Sequence, residues 1–198
     1  MGAGSFKKRV GVLALQGDFE AHERALERAG ATPVQVRTAE ELNNLDGLVI
    51  PGGESTTMLK LLNYMDLKEP LREFAMKKPV FGTCAGAILL AKEVLNPSQE
   101  SFGMVDLTVE RNAYGRQIDS RVAQISPEAA FEERTGKGDM EAVFIRAPII
   151  RRAGPDVRVL AEYGGDPVLV EQGQYLVATF HPELTQDPRV HRLFLSKL

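Results

Sequence analysis

The sequence has few cysteines, no long apolar run and no excess of basic residues, and each shortage excludes a class of protein. Its one cysteine, Cys84, cannot form an intramolecular disulfide or a thiolate metal cluster, and we expect a reducing, cytoplasmic setting. No segment approaches the ~20 consecutive apolar residues of a membrane-spanning helix, and no signal peptide is expected. Lysine and arginine number 24 against 27 acidic residues, so we expect no nucleic-acid partner and no membrane.

The length and composition are those of a soluble globular domain. The chain has 198 residues, of which 43% are hydrophobic and 26% charged. This length suits one domain with a substantial core and is short for two. We therefore predict a flexible lead-in at residues 1–8 and a single domain over residues 9–198.

The first half of the sequence alternates apolar, strand-like runs with helical ones. Strands are predicted at 9–15, 32–36, 48–50 and 80–82, and helices at 18–29, 55–62, 69–76 and 87–92. Apolar runs of this kind are typical of strands buried on both faces. The alternation favours a mostly parallel sheet with helices on both sides, an α/β fold.

The second half contains mainly strands. They are predicted at 104–111, 117–125, 142–145 and 157–162, with a hairpin of 168–171 and 175–180 around residues 172–174 and a final helix at 188–196. The polar segment 127–139 is predicted to be a mobile or partner-facing loop.

Cys84 lies where a predicted strand meets a predicted helix. Gly82 and Gly86 flank it at two residues on either side, the thiol version of the Gly-x-Ser-x-Gly nucleophile elbow. In open α/β folds such a turn presents the side chain at the carboxyl end of the sheet, where ligands bind. A buried structural cysteine is the alternative, but the paired glycines favour a nucleophile.

A thiol nucleophile needs a base, and the sequence offers three histidines. His22 falls among charges in a predicted helix and is interpreted as solvated, while His191 is interpreted as a surface or packing residue. His181 follows an apolar strand, and Glu183 stands two residues later. In extended chain these two side chains point the same way, so Glu183 can orient the imidazole. Cys84, His181 and Glu183 are the predicted triad.

Acyl transfer at Cys84 also needs donors for an oxyanion. The backbone N–H of Ala85, directly after the nucleophile, is one candidate. The glycine-rich loop Pro51–Ser55 follows another buried strand, and Gly53 is the candidate for the second donor.

These segments together resemble the class I, triad-type glutamine amidotransferases. Five of them are similar to the glutaminase subunit of pyridoxal 5′-phosphate synthase: residues 13–19, 51–57, 111–117, 144–148 and 180–184. The resemblance runs from about Arg9 to the C-terminus.

The resemblance implies a flavodoxin-like, three-layer α/β/α fold and hydrolysis of L-glutamine to glutamate and ammonia. It implies that ammonia passes to a synthase subunit that makes pyridoxal 5′-phosphate, in an assembly of twelve subunits of each kind. No cofactor and no metal are expected. The positions that match glutamine-contacting residues of the family are Gly53, Glu54, Ser55, Arg111, Ile145 and Arg146.

Chemistry agrees with these positions. Glutamine is a zwitterion, so its carboxylate suits a cation such as Arg111 or Arg146, and its amino group suits an acceptor such as Glu54. Two alternatives stay open: another triad-type amidotransferase or γ-glutamyl thiol hydrolase, and a redox-sensing cysteine protein. The intact His181–Glu183 end argues against the redox protein. We expect the isolated subunit to have low activity.

Overall fold

The computed structural model describes residues 7–113 and 120–198. Residues 1–6 of the predicted lead-in lie outside these ranges, as do 114–117 of the family-like segment and 117–119 of a predicted strand. In the described ranges the helices are α1 (Phe19–Ala29), α2 (Ser55–Tyr64), α3 (Lys68–Lys77), α4 (Ala85–Leu90), α5 (Ala129–Thr135) and α6 (Arg189–Leu195). The strands are β1 (Arg9–Leu13), β2 (Thr32–Val36), β3 (Gly47–Ile50), β4 (Val80–Thr83), β5 (Ala91–Leu95), β6 (Val105–Glu110), β7 (Ser120–Ile125), β8 (Met140–Ile145), β9 (Ile149–Ala153), β10 (Arg158–Tyr163), β11 (Asp166–Gln172) and β12 (Tyr175–Ala178).

A mostly parallel sheet forms the centre of the protein, as the alternating pattern predicted. Its seven strands run in the order β10-β11-β12-β4-β3-β1-β2. The strands from β12 to β2 pair in parallel, whereas β11 is antiparallel to both of its neighbours. The β11–β12 hairpin around Gln172 to Tyr175 is therefore confirmed.

Helices cover both faces of this sheet and divide the core into two clusters. One cluster joins β-strand side chains such as Leu48 to α2, α3 and α4. The other joins alternate strand side chains such as Val49 to α1, α5 and α6. Consecutive strand residues point to opposite faces of the sheet, so an apolar run such as Gly47–Ile50 contributes side chains to both clusters. The predicted α/β class with helices on both faces is confirmed.

The prediction for residues 127–139 was wrong. This segment contains α5, and Phe131 is fully buried against the sheet. One aromatic side chain with two alanines before it gives too short an apolar pattern to predict a helix, yet it fills a place in the core.

Two strands of a small second sheet were also missed. The predicted helix at 87–92 ends at Leu90, and β5 begins at the next residue. Strand β9 lies beyond the predicted strand at 142–145, with residues 146–148 between them, and was not predicted at all. Together with β6 they form a three-stranded sheet in the order β5-β6-β9, and β7 pairs with β8 in a separate ribbon.

The sheet order places two distant parts of the chain side by side. Strand β12 pairs in parallel with β4, and Ala178 stands opposite Thr83. The residues that follow these two strands therefore emerge together at the carboxyl edge of the sheet.

None of the helices within residues 7–113 and 120–198 has the length and the apolar character of a membrane-spanning helix.

Candidate active site

Cys84 occupies a strained turn between β4 and α4, as the elbow pattern predicted. Its backbone lies at φ 48° and ψ −102°, a region that side-chain-bearing residues rarely adopt, and its N–H donates to the carbonyl of Ala178 at 2.9 Å. A β-carbon at Gly82 would lie 2.7 Å from the backbone of Gly86, and one at Gly86 would collide with the carbonyl of Ile50. Both glycines are thus required for the close strand-to-helix approach.

His181 and Glu183 lie together at the same edge of the sheet, but the backbone between them does not have the predicted conformation. The imidazole Nδ1 and the Glu183 Oε1 are 2.7 Å apart, and both side chains are almost completely buried. We predicted an extended chain that would point residues i and i+2 the same way. Instead, Pro182–Leu184 forms a 3₁₀ turn that brings the carboxylate back to the ring.

The buried carboxylate controls the charge of the imidazole. Burial disfavours the charged forms, but His22 and His181 hold the pKa of Glu183 below its usual value. Burial also opposes charge on His181, yet Cys84 and Glu183 raise the pKa of His181 to about 10. The site therefore favours the cationic form of the ring, with a proton on both nitrogens.

The Cys84 thiol faces His181 across a small space. The His181 Nε2 is buried and has no hydrogen-bond partner among the described residues, so it is the ring nitrogen left for the thiol. The thiol itself donates to the backbone carbonyl of Ile145 at 3.8 Å. Gly52 packs over both side chains: a β-carbon there would lie 3.3 Å from the Cys84 Cβ and would collide with the His181 ring.

A cavity of about 200 Å³ opens onto Cys84 and His181. Its lining includes every residue that the resemblance placed at a glutamine-contacting position: Gly53, Glu54, Ser55, Arg111, Ile145 and Arg146. The structure thus brings together three loops, after β3, β6 and β8, around the predicted nucleophile.

Glu54 is engaged more fully than the sequence suggested. Its carboxylate caps α2, accepting from the N–H groups of Thr56 at 3.0 Å and Thr57 at 2.7 Å, and from the Thr57 hydroxyl at 2.7 Å. Burial opposes its charge, but these donors lower the pKa of Glu54 to about 2. The carboxylate is therefore an anion at neutral pH, and its Oε1 forms an ion pair with the Arg111 Nη2 at 3.3 Å.

The Pro51–Ser55 loop is held by a side chain that the sequence did not single out. Gln16 donates from Nε2 to the Glu54 carbonyl at 3.2 Å and accepts from the Glu54 N–H at 3.3 Å. Gly53 has φ 134°, and a β-carbon there would collide with the Gln16 amide. The position of Gly53 beside the cavity therefore depends on Gln16.

The interpretation of His22 as a solvated residue was wrong. The side chain is fully buried behind the triad, with Nε2 3.3 Å from Glu183 Oε2 and 3.0 Å from Thr83 Oγ1. Its Nδ1 lies 3.1 Å from Nε2 of His191, which is also fully buried. The spacing could have indicated this: His22 precedes the core residue Leu26 by one helical turn and shares its face.

Asp18, His181 and Glu183 also present possible metal-ligand atoms within 4.8 Å of one another. Two of these groups, His181 and Glu183, are already hydrogen-bonded to each other. The arrangement is that of a base and its orienting carboxylate.

Comparison of the sequence with known protein families agrees with the geometry of the site. The model of the SNO glutamine amidotransferase family matches residues 12–198. The chain belongs to the SNO glutamine amidotransferase family. The match confirms that this is a glutamine amidotransferase sequence, as the resemblance of the Cys84 elbow and the His181–Glu183 end indicated.

Relatives within the family carry a specific name. The pyridoxal 5′-phosphate synthase subunit PdxT of Solibacter usitatus is 70% identical over 191 residues, which cover 96% of this chain and all of the relative. The subunit of the same name from Thermotoga maritima is 50% identical, covering 95% and 98%. A solved structure described as a glutamine amidotransferase superposes with a TM-score of 0.85 at 48% identity, covering 95% and 97%.

Proposed function

We propose that this protein is the glutaminase subunit of a pyridoxal 5′-phosphate synthase. It hydrolyses L-glutamine to glutamate and ammonia and delivers the ammonia to a synthase subunit. The observation that carries the proposal is that Cys84 and His181 line one cavity, with the Glu183 carboxylate hydrogen-bonded to His181, in a chain of this family. A redox-sensing cysteine has no need of a histidine with its own buried carboxylate.

The first half of the reaction releases ammonia. In the reactive form of the site His181 Nε2 already carries the proton of the Cys84 thiol, and the thiolate sulfur bonds to the side-chain amide carbon of glutamine. The carbon–nitrogen bond then breaks, and the nitrogen leaves as ammonia with the proton from His181. Because the pKa of His181 is raised to about 10, the ring keeps that proton until the leaving nitrogen takes it.

The second half regenerates the enzyme. Water adds to the carbon of the glutamyl thioester and gives one proton to His181. The carbon–sulfur bond breaks, glutamate leaves, and the Cys84 thiolate again faces the protonated His181. The N–H groups of Gly53 and Ala85 are the proposed donors to the oxyanion in both halves; Ala85 opens α4, so its N–H has no partner inside the helix.

Substrate binding is proposed to use the charges around the cavity. Arg111 is fixed by Glu54 and by the Thr56 hydroxyl at 3.0 Å, which presents a preorganised cation to the glutamine carboxylate. Arg146 is the exposed second cation of the cavity wall. Since the Glu54 carboxylate already accepts from α2, a backbone carbonyl is the better acceptor for the substrate amino group.

The partner is proposed to be the synthase subunit, because the relatives are named as subunits of that enzyme. The assembly of twelve subunits of each kind and the cytoplasmic location remain predictions from the resemblance and the composition. We expect the partner to raise the activity, because the oxyanion loop contains Gly52 and Gly53, whose backbone can change conformation, and its two hydrogen bonds to Gln16 are long, at 3.2 and 3.3 Å.

Glutamate release from L-glutamine, with and without a pyridoxal 5′-phosphate synthase subunit, tests the proposal. We expect release mainly with the synthase, and Cys84→Ala should lower kcat at least about 10³-fold, because the nucleophile is lost. Calorimetry should show that this variant still binds glutamine. Wild-type activity in Cys84→Ala, or no release by the unaltered protein with the synthase, would contradict the proposal.

A further inference from the structure

Behind the triad lies a chain of buried polar groups that the mechanism has not used. It runs from His191 in α6 through His22 in α1 to the Glu183 carboxylate, with Thr83 at the end of β4 beside His22. All four side chains are buried. Buried polar groups are costly unless they are paired, so this chain needs a physical account.

Both histidines of this chain are neutral at neutral pH. Burial, the largest cause, lowers the pKa of His22, and it lowers the pKa of His191 to about 3. The charged groups that act on the pair are Asp18, Arg28, His181 and Glu183. A neutral imidazole has one N–H donor and one acceptor nitrogen.

The unpaired atom of His191 indicates where the protons are. His191 Nδ1 is buried and has no hydrogen-bond partner among the described residues, so it is the nitrogen better left without a proton. The proton of His191 is then on Nε2 and is donated to His22 Nδ1. His22 in turn carries its proton on Nε2, which lies 3.0 Å from its hydrogen-bond partner Thr83 Oγ1 and 3.3 Å from Glu183 Oε2.

With the protons in these positions, each oxygen of the Glu183 carboxylate faces an imidazole nitrogen that carries a proton. Oε1 of Glu183 holds the His181 ring at 2.7 Å, whereas Oε2 is buried, has no well-aligned hydrogen bond among the described residues and faces His22 Nε2 at 3.3 Å. We propose that His22 is a positioning residue for the triad: its Nε2–H, directed by His191, fixes the rotation of the Glu183 carboxylate and thereby the orientation of His181. This inference rests on the proposed function, since it concerns the same triad.

Two polar substitutions at His22 separate positioning from packing. The side-chain nitrogen of His22→Gln reaches about the place of Nε2, whereas that of His22→Asn reaches about the place of Nδ1. We expect His22→Gln to keep kcat within about threefold and His22→Asn to lower kcat about 10- to 100-fold, with KM nearly unchanged, because only the Gln amide can donate to Glu183.

Phe81→Leu is the matched control for lost packing. The Phe81 ring contacts the rings of both His22 and His191, at centroid distances of 6.0 Å and 5.7 Å, and it carries no donor. We expect this variant to lower the unfolding midpoint as much as His22→Asn does, with a smaller change in kcat.

A second readout does not depend on glutamine turnover. Cys84 is the only cysteine, so the rate of alkylation by iodoacetamide at neutral pH follows the thiolate of this one residue. His22→Asn should slow alkylation and His22→Gln should not, because a correctly oriented His181 cation stabilises the thiolate. Equal kcat and equal alkylation rates in the two His22 variants would overturn the positioning role.

The two proposals fail in distinguishable ways. If the unaltered protein releases no glutamate with the synthase, the proposed function fails, and the alkylation rates still decide the role of His22. If glutamate is released normally but the Gln and Asn variants behave alike, the function stands and His22 only fills space.

Discussion

At the scale of single residues, the site depends on buried ionisable groups whose partners determine their charge. Glu183 stays ionised in spite of burial because His22 and His181 face its two oxygens. Burial opposes charge on His181 as well, but Cys84 and Glu183 raise the pKa of His181 to about 10. For His22 and His191 burial outweighs the attraction of Glu183, so the pKa of each is lowered and both rings are neutral at neutral pH. The same residue type therefore has different charge states within one site.

The neutral state of His191 predicts a loss of stability in acid. The pKa of His191 is lowered from its usual 6.5 to about 3 in the folded protein, so the unfolded chain binds the proton first. The free energy of unfolding should be unaffected by this group above about pH 6.5. It should fall below that pH with a slope of up to about 1.4 kcal/mol per pH unit.

Urea unfolding at pH 7, 6 and 5 measures this slope, with His191→Gln as the comparison because glutamine keeps a polar side chain without the titration. The variant should lose less stability between pH 7 and 5 than the unaltered protein. Parallel slopes for the two proteins would show that His191 is not held neutral by the fold.

At the scale of elements, the sequence predicted long apolar patterns well and short ones poorly. The strand Thr32–Val36 and the helix ending at Ala29 before Gly30 have the predicted limits, because an apolar periodicity and a left-handed glycine mark them. Strand β5 follows α4 without any intervening turn residue, so no local signal separates the two. Helix α5 has seven residues, too few for a clear periodicity.

The core role of α5 predicts a large effect of one substitution in it. Phe131→Ala should lower the free energy of unfolding by about 3–5 kcal/mol, because it removes a fully buried aromatic ring. Glu133→Ala in the same helix is the control: this side chain is exposed, and the change should stay within about 0.5 kcal/mol. Chemical denaturation measures both; equal effects would mean that α5 does not contribute to the core.

At the scale of the whole molecule, the site is assembled from parts of the chain that lie far apart in sequence. The patterns around Cys84 and His181 each predicted the end of a strand, but no local pattern shows that β12 pairs with β4. That pairing is a long-range contact, which the sequence patterns did not predict. The roles of His22 and Gln16 were missed for the same reason. His22 faces Glu183, 161 residues further along the chain, and Gln16 binds the backbone of Glu54, 38 residues further along.

The central claim is that Cys84 forms a covalent bond to the glutamyl group of its substrate. Acid-quenched mixtures of the protein, its synthase partner and L-glutamine, digested and weighed by mass spectrometry, test it most directly. We predict one γ-glutamyl group on the peptide that contains Cys84, which accumulates during turnover and is absent in Cys84→Ala. Steady glutamate release with no adduct on that peptide, or an adduct on another residue, would contradict the account.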